Sequence, residues 1–286
     1  MKKYISLMRL DKPIGFMLLF WPCSWGFASS LYKKSIDETW FYFLTLFFIG
    51  SVLMRSAGCV YNDIIDKKID QKVSRTKSRP LAANLISIKN AWAVILLLCT
   101  ISIIILFQFN YKAIIFGLSS GILIIFYPFM KRIIFWPQLF LGIVFNWGVI
   151  LSWLVLEQEI NFYILLLYAS AVLWTLGYDT IYGLQDLEDD IKIGIKSTSI
   201  KFKNNIKLFL SIIYILSFFL LIIAKIYLMD EFGFILILYL LPLSILIFQI
   251  YYVSIKNNTK NLMLFKMNNY YGLSIFLIQI LVFYNA

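Results

Sequence analysis

The stretch IKLFLSIIYILSFFLLIIAKIYL, residues 206–228, is apolar apart from two lysines and a few hydroxyl-bearing side chains. A run of this length exceeds the roughly 20 residues that an α-helix needs to cross the hydrocarbon core of a bilayer. Strands of transmembrane barrels are shorter and alternate between apolar and polar residues, which this stretch does not do. It therefore predicts a membrane-spanning helix.

Comparable runs occur along the whole chain. They cover residues 14–31, 39–60, 91–108, 112–130, 133–155, 161–183, 232–254 and 268–284. Of the 286 residues, 61% are apolar and only 14% are charged, with a mean hydropathy of +0.83. This composition excludes an ordinary water-soluble globular protein. We expect an all-α polytopic membrane protein, a single domain over residues 1–286 with a bundle of about nine transmembrane helices around a central cavity.

The distribution of basic residues predicts the orientation. Lys and Arg collect on the cytoplasmic side of membrane proteins. With the N-terminus inside, most of the 26 Lys and Arg residues fall on that side. The net charge of +11 is then a consequence of orientation, and we expect no nucleic-acid partner. The chain also contains no histidine, which excludes imidazole bases and Ser-His-Asp triads.

Acidic residues cluster in two segments on the predicted cytoplasmic side, although the orientation of the protein in the membrane does not require acidic residues there. Eight of the 15 Asp and Glu residues lie in YNDIIDKKID, residues 61–70, and YDTIYGLQDLEDD, residues 178–190. Asp63, Asp66 and Asp70 are spaced i, i+3 and i+7, so a helix would align them in one stripe. Asp179, Asp186 and Asp190 follow i, i+7 and i+11. Like charges stacked on a helix repel each other unless a cation lies against them. Two facing stripes predict a Mg²⁺ site built from oxygen ligands, with substrate phosphate completing the metal shell.

A basic, hydroxyl-bearing loop follows each acidic segment. These loops are KVSRTKSRPLA, residues 72–82, and KIGIKSTSIK, residues 192–201. The recurrence predicts a pseudo-repeat with Asp motifs at 62–70 and 179–190, both on the cytoplasmic side. Metal between carboxylates with basic groups around it is suited to a diphosphate. In the alternative interpretation, both segments are solvated loops whose Asp residues pair with neighbouring Lys.

These motifs resemble those of the UbiA-type intramembrane prenyltransferases, and most of all the 4-hydroxybenzoate polyprenyltransferase branch. NDIIDKKID fits the first NDxxDxxxD motif and DLEDD fits the second DxxxD motif. The similarity extends over most of the chain through RLDKPIG (9–15), LFWPCSWG (19–26), MRSAGCVYND (54–63), YPFMKR (127–132), WPQ (136–138) and YDTIYGLQDLEDDIKIGIKST (178–198). Residues 203–286 offer only generic apolar helices for comparison.

The resemblance implies an enzyme of ubiquinone biosynthesis. The richness of the chain in Ile, Lys, Asn and Phe is typical of an A·T-rich genome and favours a bacterial source, hence a bacterial inner membrane. The enzyme would transfer a polyprenyl group from polyprenyl diphosphate to the ring carbon of 4-hydroxybenzoate beside the hydroxyl and release diphosphate. Its metal ligands for Mg²⁺ would be Asn62, Asp63, Asp66, Asp70, Asp186 and Asp190. Asp63, Asp66, Asp186 and Asp190 would thereby be catalytic, and Asp179 would be a further ligand or would polarise the phenol. Diphosphate clamps would come from Arg75, Lys77, Arg79, Lys192 and Lys196, each of which has the alternative of binding anionic lipid.

The aromatic acid would need its own anchor. Arg55 lies within a predicted span, eight residues before Asp63, and we expect it to point inward and grip the substrate carboxylate. Its alternative is an ion pair with Asp63 or Asp66, and Arg132 is the competing anchor. Lys131 beside it has the alternative of marking the inside boundary. Tyr127 and Tyr178, together with Tyr61 and Tyr182, are candidates for stabilising an allylic cation, with the membrane-interface belt as the alternative role.

Other classes of protein fit these features less well. A transporter places its intramembrane charges near the midplane rather than at one surface. A CDP-alcohol phosphotransferase has one contiguous Asp-rich motif with interleaved glycines, which this chain lacks. A structural scaffold leaves the paired Asp stripes unexplained. Within the superfamily, naphthoate, homogentisate and haem or other porphyrin acceptors remain the alternatives to 4-hydroxybenzoate. Prenyl chain length and oligomeric state are not determined by the sequence.

Overall fold

The computed structural model describes residues 1–30, 32, 37–156, 159–229 and 234–284, and these contain helices and no strand. The α-helices are α1 (Lys2–Leu7), α2 (Ile14–Ser30), α3 (Glu38–Ile65), α4 (Lys67–Asp70), α5 (Ile88–Leu106), α6 (Tyr111–Ile133), α7 (Pro137–Phe145), α8 (Trp147–Leu154), α9 (Phe162–Gly183), α10 (Leu187–Lys192), α11 (Thr198–Lys201), α12 (Ile206–Met229), α13 (Leu240–Tyr252) and α14 (Asn258–Tyr284). Short 3₁₀ turns cover Leu184–Asp186, Lys203–Asn205 and Phe234–Tyr239. The all-α prediction is confirmed.

The apolar runs form the helices of the bundle. Six helical segments of the described residues are long and apolar enough to cross a membrane: Glu38–Ile65, Ile88–Leu106, Tyr111–Ile133, Pro137–Leu154, Phe162–Lys192 and Lys203–Met229. Helix α2, the segment Leu236–Tyr252 and α14 occupy the other predicted runs. The predicted ends at residue 31 and residues 232–233 lie outside the described residues. The chain is an integral membrane protein.

Polar residues set where several of these helices begin. Asp37, Ser87, Asn110 and Asn161 each precede a long helix, and each side chain accepts a hydrogen bond from the backbone N–H three residues later, at 3.0–3.2 Å. Such N-caps satisfy amide groups that the first turn of a helix leaves unpaired. They begin α3, α5, α6 and α9.

Helix α9 lies at the centre of the bundle, where it contacts α7, α8, α12 and α14. An aromatic cluster links it to α2 and α14: Trp174 lies with its ring centroid 5.0 Å from those of Trp25, Tyr178 and Tyr271. Helices α5 and α6 are peripheral, since only 17% and 11% of their apolar stretches are buried inside the protein. Their exposed leucine and isoleucine side chains form a surface suited to lipid.

Both acidic segments lie at the same end of this bundle. The first follows the C-terminal end of α3, and the second follows the C-terminal end of α9. The loop after the first segment contacts the second directly, because the backbone N–H of Ser74 donates to Asp189 Oδ2 at 2.8 Å. Residues separated by more than 100 positions therefore form one site.

Candidate functional site

The first acidic motif lies where α3 ends. Asp63 belongs to the last turn of α3, Asp66 leaves helical geometry with φ −96° and ψ 6°, and Asp70 ends the short helix α4. The predicted continuous helix is therefore wrong at Asp66, where the chain turns. All three side chains are nevertheless buried, with 2%, 0% and 5% exposure. Buried carboxylates are stable only when paired or hydrogen-bonded, so their partners define the site.

Two arginines compensate Asp63 and Asp70. Arg9 Nη2 donates to both carboxylate oxygens of Asp63, at 2.9 and 2.8 Å. Arg79 Nη1 bridges Asp63 Oδ1 at 3.2 Å and both oxygens of Asp70 at 3.1 and 2.9 Å. The pairing draws the N-terminal segment and the 72–82 loop onto the end of α3.

Asp66 has two different basic partners. Lys131 donates to Asp66 Oδ2, and Arg132 Nη2 donates to Oδ1 at 3.2 Å and to the Ile65 carbonyl at 3.1 Å. Both basic residues come from the last turn of α6. In this structure, Arg132 thus lies against the acidic motif.

The second acidic motif is divided between two helices. Helix α9 carries Asp179, the 3₁₀ turn Leu184–Asp186 follows, and Asp190 lies in α10. The single predicted stripe is therefore interrupted by a tighter turn. Asp190 lies within electrostatic reach of Asp186, Lys131 and Arg75, so the second motif still faces the first.

Arg75 connects the two motifs. Its Nε and Nη2 donate to the carboxylate oxygens of Asp186 at 2.8 and 2.5 Å, and its Nη1 donates to the Tyr182 hydroxyl at 3.0 Å. Burial lowers the pKa of the Arg75 guanidinium, but the hydrogen bonds to Asp186 and Tyr182 outweigh this and raise the pKa above its ordinary value. The guanidinium stays charged and holds the 72–82 loop over the second motif.

Arg55 differs from every arginine described above. It makes no ion pair within the described residues, and its Nε is buried without a hydrogen-bond partner. Its guanidinium lies 5.2 Å from the ring centroid of Phe145. The predicted inward direction fits this placement, whereas the alternative of an ion pair with Asp63 or Asp66 is wrong.

A polar pocket surrounds this guanidinium. Tyr127, Tyr178 and Asp179 lie within its electrostatic reach. The Tyr178 hydroxyl is buried and has no hydrogen-bond partner in the described part of the chain. Gly15 allows the approach of α2, because a Cβ at this position would lie only 2.8 Å from Arg55 Nε. Two groups without a hydrogen-bond partner, Arg55 Nε and the Tyr178 hydroxyl, therefore lie near the Asp179 carboxylate.

The remaining predicted residues lie around this core of contacts. Lys196 Nζ donates to the Ile133 carbonyl at 3.0 Å, and its backbone N–H donates to the Lys131 carbonyl at 2.9 Å. Lys77 and Lys192 are exposed and lie within electrostatic reach of Asp189. Asn62 is half-buried on α3 beside Asp63.

Sequence reasoning missed Arg9 as a site residue. Its backbone has φ +57°, the left-handed region that a non-glycine residue adopts at a cost, and its Nη1 donates to the Ser6 carbonyl at 2.6 Å. The string RLDKPIG contained the residue, but nothing local shows that a side chain preceding α2 reaches the end of α3. The contact joins residues 54 positions apart.

The carboxylates fit a hard divalent cation by chemistry, since Mg²⁺ prefers oxygen ligands. Within the described ranges, no group of three or more His, Cys, Asp or Glu residues is arranged to hold a metal ion. The ion pairs explain this arrangement, because each buried Asp of the first motif faces Arg or Lys instead of another carboxylate. The ligand set stays a prediction.

The fold and the site together define the class of protein: a helical membrane bundle with two acidic motifs at one end. Residues 19–270 match the UbiA prenyltransferase family, and the chain belongs to this family. It is 46% identical over 211 residues to the mitochondrial 4-hydroxybenzoate polyprenyltransferase of Drosophila pseudoobscura pseudoobscura, covering 73% of this chain and 53% of that protein. The mitochondrial 4-hydroxybenzoate polyprenyltransferase of Homo sapiens is 44% identical over 212 residues, with 74% and 57% covered. The chain spans about half the length of these curated relatives.

Solved structures share the fold. The apo structure of a UbiA homolog from Aeropyrum pernix K1 superposes with a TM-score of 0.76 at 24% identity, covering 93% of this chain and 97% of that one. A UbiA homolog from Archaeoglobus fulgidus bound to DMAPP and Mg²⁺ gives a TM-score of 0.69 at 17% identity, covering 99% and 100%.

Proposed function

We propose that this protein transfers a polyprenyl group from polyprenyl diphosphate to the ring of 4-hydroxybenzoate, at the carbon beside the hydroxyl, in ubiquinone biosynthesis. The observation that carries the proposal is the unpaired Arg55 guanidinium beside the acidic motifs. An arginine fork that makes no ion pair among the described residues and whose Nε is buried without a hydrogen-bond partner is complementary to the carboxylate of an aromatic acid. Relatives that carry this activity in their names support the same acceptor.

Polyprenyl diphosphate would bind at the acidic end through its charged group. Asn62, Asp63, Asp66, Asp70, Asp186 and Asp190 are the oxygen donors that would hold Mg²⁺, the cation bound together with DMAPP in the Archaeoglobus fulgidus homolog. Bound there, the cation would neutralise negative charge on the leaving diphosphate. With Mg²⁺ held by these carboxylates, Arg75, Arg79 and Lys131 would be the basic residues available to phosphate oxygens. Lys77, Lys192 and Lys196 lie at the same end as further clamps.

The reaction would proceed by departure of diphosphate and attack by the phenol ring. The allylic C–O bond breaks with its electron pair leaving on diphosphate, a C–C bond forms to the ring, and the displaced ring proton leaves to a carboxylate or to diphosphate. Tyr127 and Tyr178 present electron-rich rings near Arg55, suited to stabilising positive charge on the allylic carbon. Asp179 would polarise the phenol or serve as a further metal ligand, and Arg132 is the second candidate for the acceptor's carboxylate.

A transfer assay tests this function. Membranes containing the protein receive radiolabelled 4-hydroxybenzoate and a prenyl diphosphate, with Mg²⁺ or with EDTA, and lipid-extractable label is counted. We expect product only with both the protein and Mg²⁺, while membranes without the protein give none. Absence of product with 4-hydroxybenzoate, together with diphosphate release when naphthoate or homogentisate is supplied, would overturn the proposed acceptor.

The finer localisation is also a proposal. Basic residues around the acidic motifs support a cytoplasmic N-terminus and cytoplasmic active-site loops. The named relatives are mitochondrial, and the bacterial membrane is proposed only from the richness of this chain in Ile, Lys, Asn and Phe, which is typical of an A·T-rich genome. Labelling of a cysteine introduced at Lys77 by an impermeant thiol reagent, from inside but not outside intact cells, is the expected result. Labelling from outside would contradict the orientation.

A further inference from the structure

The outer face of α13 forms an apolar groove that no other described helix covers. Its lining residues recur at helical spacing on one side of the helix: Ser244, Ile247, Phe248, Tyr251 and Tyr252. All five are exposed, and Ile247 and Tyr251 retain 55% and 69% of their accessible surface. The rings of Phe248 and Tyr252 lie 4.4 Å apart between centroids and form one wall. In a bilayer such a face is in contact with acyl chains.

Two lysines stand at one end of this groove. Lys207 Nζ donates to the Tyr251 carbonyl at 2.8 Å and lies 5.7 Å from the centroid of the same residue's ring. Lys260 Nζ lies 4.3 Å from the centroid of the Tyr252 ring. Neither ammonium has a carboxylate partner among the described residues. One end of an apolar groove is therefore positively charged.

This end of the groove lies on the same side as the acidic motifs. Helix α14 begins at Asn258, whose side chain donates to the Gln185 carbonyl beside the second motif at 3.3 Å. No Asp or Glu occurs in residues 191–229 or 232–286, the segments that contain the groove and both lysines. A bound phosphate would meet no carboxylate from these segments. Charge complementarity thus favours an anionic headgroup.

We propose that this face binds one anionic phospholipid, with an acyl chain in the groove and the phosphate against Lys207 and Lys260. Both ammonium groups retain N–H donors for phosphate oxygens, because Lys207 uses only one N–H for the Tyr251 carbonyl. The two tyrosine rings lie beside the lysine ammonium groups, and aromatic side chains of this kind are typical of the headgroup level of a membrane. A second copy of this chain is a poorer occupant, since its net charge of +11 opposes association at a basic surface.

Retention of a defined lipid tests the proposal. The purified full chain in detergent is supplied with dioleoylphosphatidylglycerol or dioleoylphosphatidylcholine, and bound lipid is counted by native mass spectrometry. We expect one phosphatidylglycerol to be retained in preference to phosphatidylcholine. In the variant carrying Lys207→Ala and Lys260→Ala, phosphatidylglycerol affinity should fall about 25-fold, since each basic residue near an anionic surface contributes about 1 kcal/mol, or about fivefold.

A matched control removes the same charge elsewhere. Lys203 and Lys256 are exposed lysines near the same end of the bundle, and the variant carrying Lys203→Ala and Lys256→Ala should retain phosphatidylglycerol as the parent does. Equal losses in the two double variants would show that only overall charge matters and would overturn the site.

A second variant tests the role of the groove independently of the two lysines. Ser244→Trp fills the groove with an exposed side chain and leaves both lysines in place, so it should abolish retention without changing the net charge. Unchanged retention would contradict the acyl-chain half of the proposal. Displacement of phosphatidylglycerol by equimolar geranylgeranyl diphosphate would reassign the groove to the prenyl substrate. A dimer that is lost in the Lys207 and Lys260 double variant would reassign it to a second copy.

Discussion

The charged side chains at the acidic end are paired with opposite charges, whereas the Arg55 guanidinium is not. At the acidic end, Asp63, Asp66 and Asp70 each face arginine or lysine within hydrogen-bond distance. Arg55 lies about 12 Å before Asp63 along α3, by the rise of a helix, and makes no ion pair in the described part of the chain. At the acidic end, where a metal cation and a diphosphate would bind, the protein's own side chains neutralise each other. At Arg55, where the carboxylate of an aromatic acid would bind, the guanidinium is left without an ion pair.

This difference predicts two kinds of mutational effect. We expect variants at the acidic end to change how metal and diphosphate are held, and variants of Arg55 to change how the aromatic acid is held. We expect the largest loss of activity at the predicted metal ligands and the smallest at a buried cation far from both regions.

Asp63→Asn should lower turnover by at least about 100-fold, because it removes a charge that would stabilise the bound cation while keeping the side-chain volume. Product formation under saturating substrates measures the effect, and size-exclusion chromatography checks that the variant still folds. Asp189→Asn is the matched control: Asp189 accepts a hydrogen bond from the Ser74 backbone at 2.8 Å and is not among the predicted ligands. Turnover in Asp63→Asn close to that of the control would refute the two-motif metal hypothesis.

Arg55→Ala should weaken binding of 4-hydroxybenzoate about 30-fold or more, since loss of a buried charged partner costs about 2–5 kcal/mol. The KM for prenyl diphosphate should change little. Arg55→Lys keeps the charge without the planar fork and should recover part of the loss. If the KM for prenyl diphosphate rose instead, Arg55 would belong with the diphosphate clamps and the comparison between the two regions would fail.

Arg9→Asn should lower the Mg²⁺ concentration needed for half-maximal activity by about fivefold. Arg9 competes with any cation for Asp63, and one charge at about 4 Å contributes at least about 1 kcal/mol. Asparagine tolerates the left-handed backbone that Arg9 adopts, so the substitution removes charge with little change in backbone strain. A titration of activity against Mg²⁺ measures the shift. A higher requirement for Mg²⁺ would indicate that Arg9 supports the site rather than competing for it.

The helices and the acidic motifs could be predicted from the sequence because both depend on local spacing. Apolar run length located the spans, and the spacing of eight positions between Arg55 and Asp63 on one helix predicted that Arg55 points inward. The ion pairs could not be predicted, because Arg9 and Lys131 reach the first motif from other elements. The turns at Asp66 and at Leu184–Asp186 also interrupt helices whose composition continues without a break. Long-range pairing and tertiary turns are decided by packing that periodicity does not report.

Lys225 adds a third case to this comparison, because it is a buried cation far from the acidic end. It lies near the C-terminal end of α12, is 2% exposed, and donates to Tyr163 OH at 2.8 Å and to Ser29 Oγ at 3.2 Å. Unlike Arg55 it is satisfied by neutral oxygens, which is the arrangement expected of a structural contact between α2, α9 and α12.

Lys225→Met should therefore leave turnover and both KM values unchanged. The free energy of unfolding should fall by about 1–3 kcal/mol, because the hydroxyl groups of Tyr163 and Ser29 would lose the buried ammonium group that donates hydrogen bonds to them. Thermal unfolding in detergent, followed beside the transfer assay, separates the two effects. Loss of activity at unchanged stability would mean that a missing hydrogen-bond partner is not what distinguishes a binding cation from a structural one in this bundle. The assignment of Arg55 would then need support from substrate binding alone.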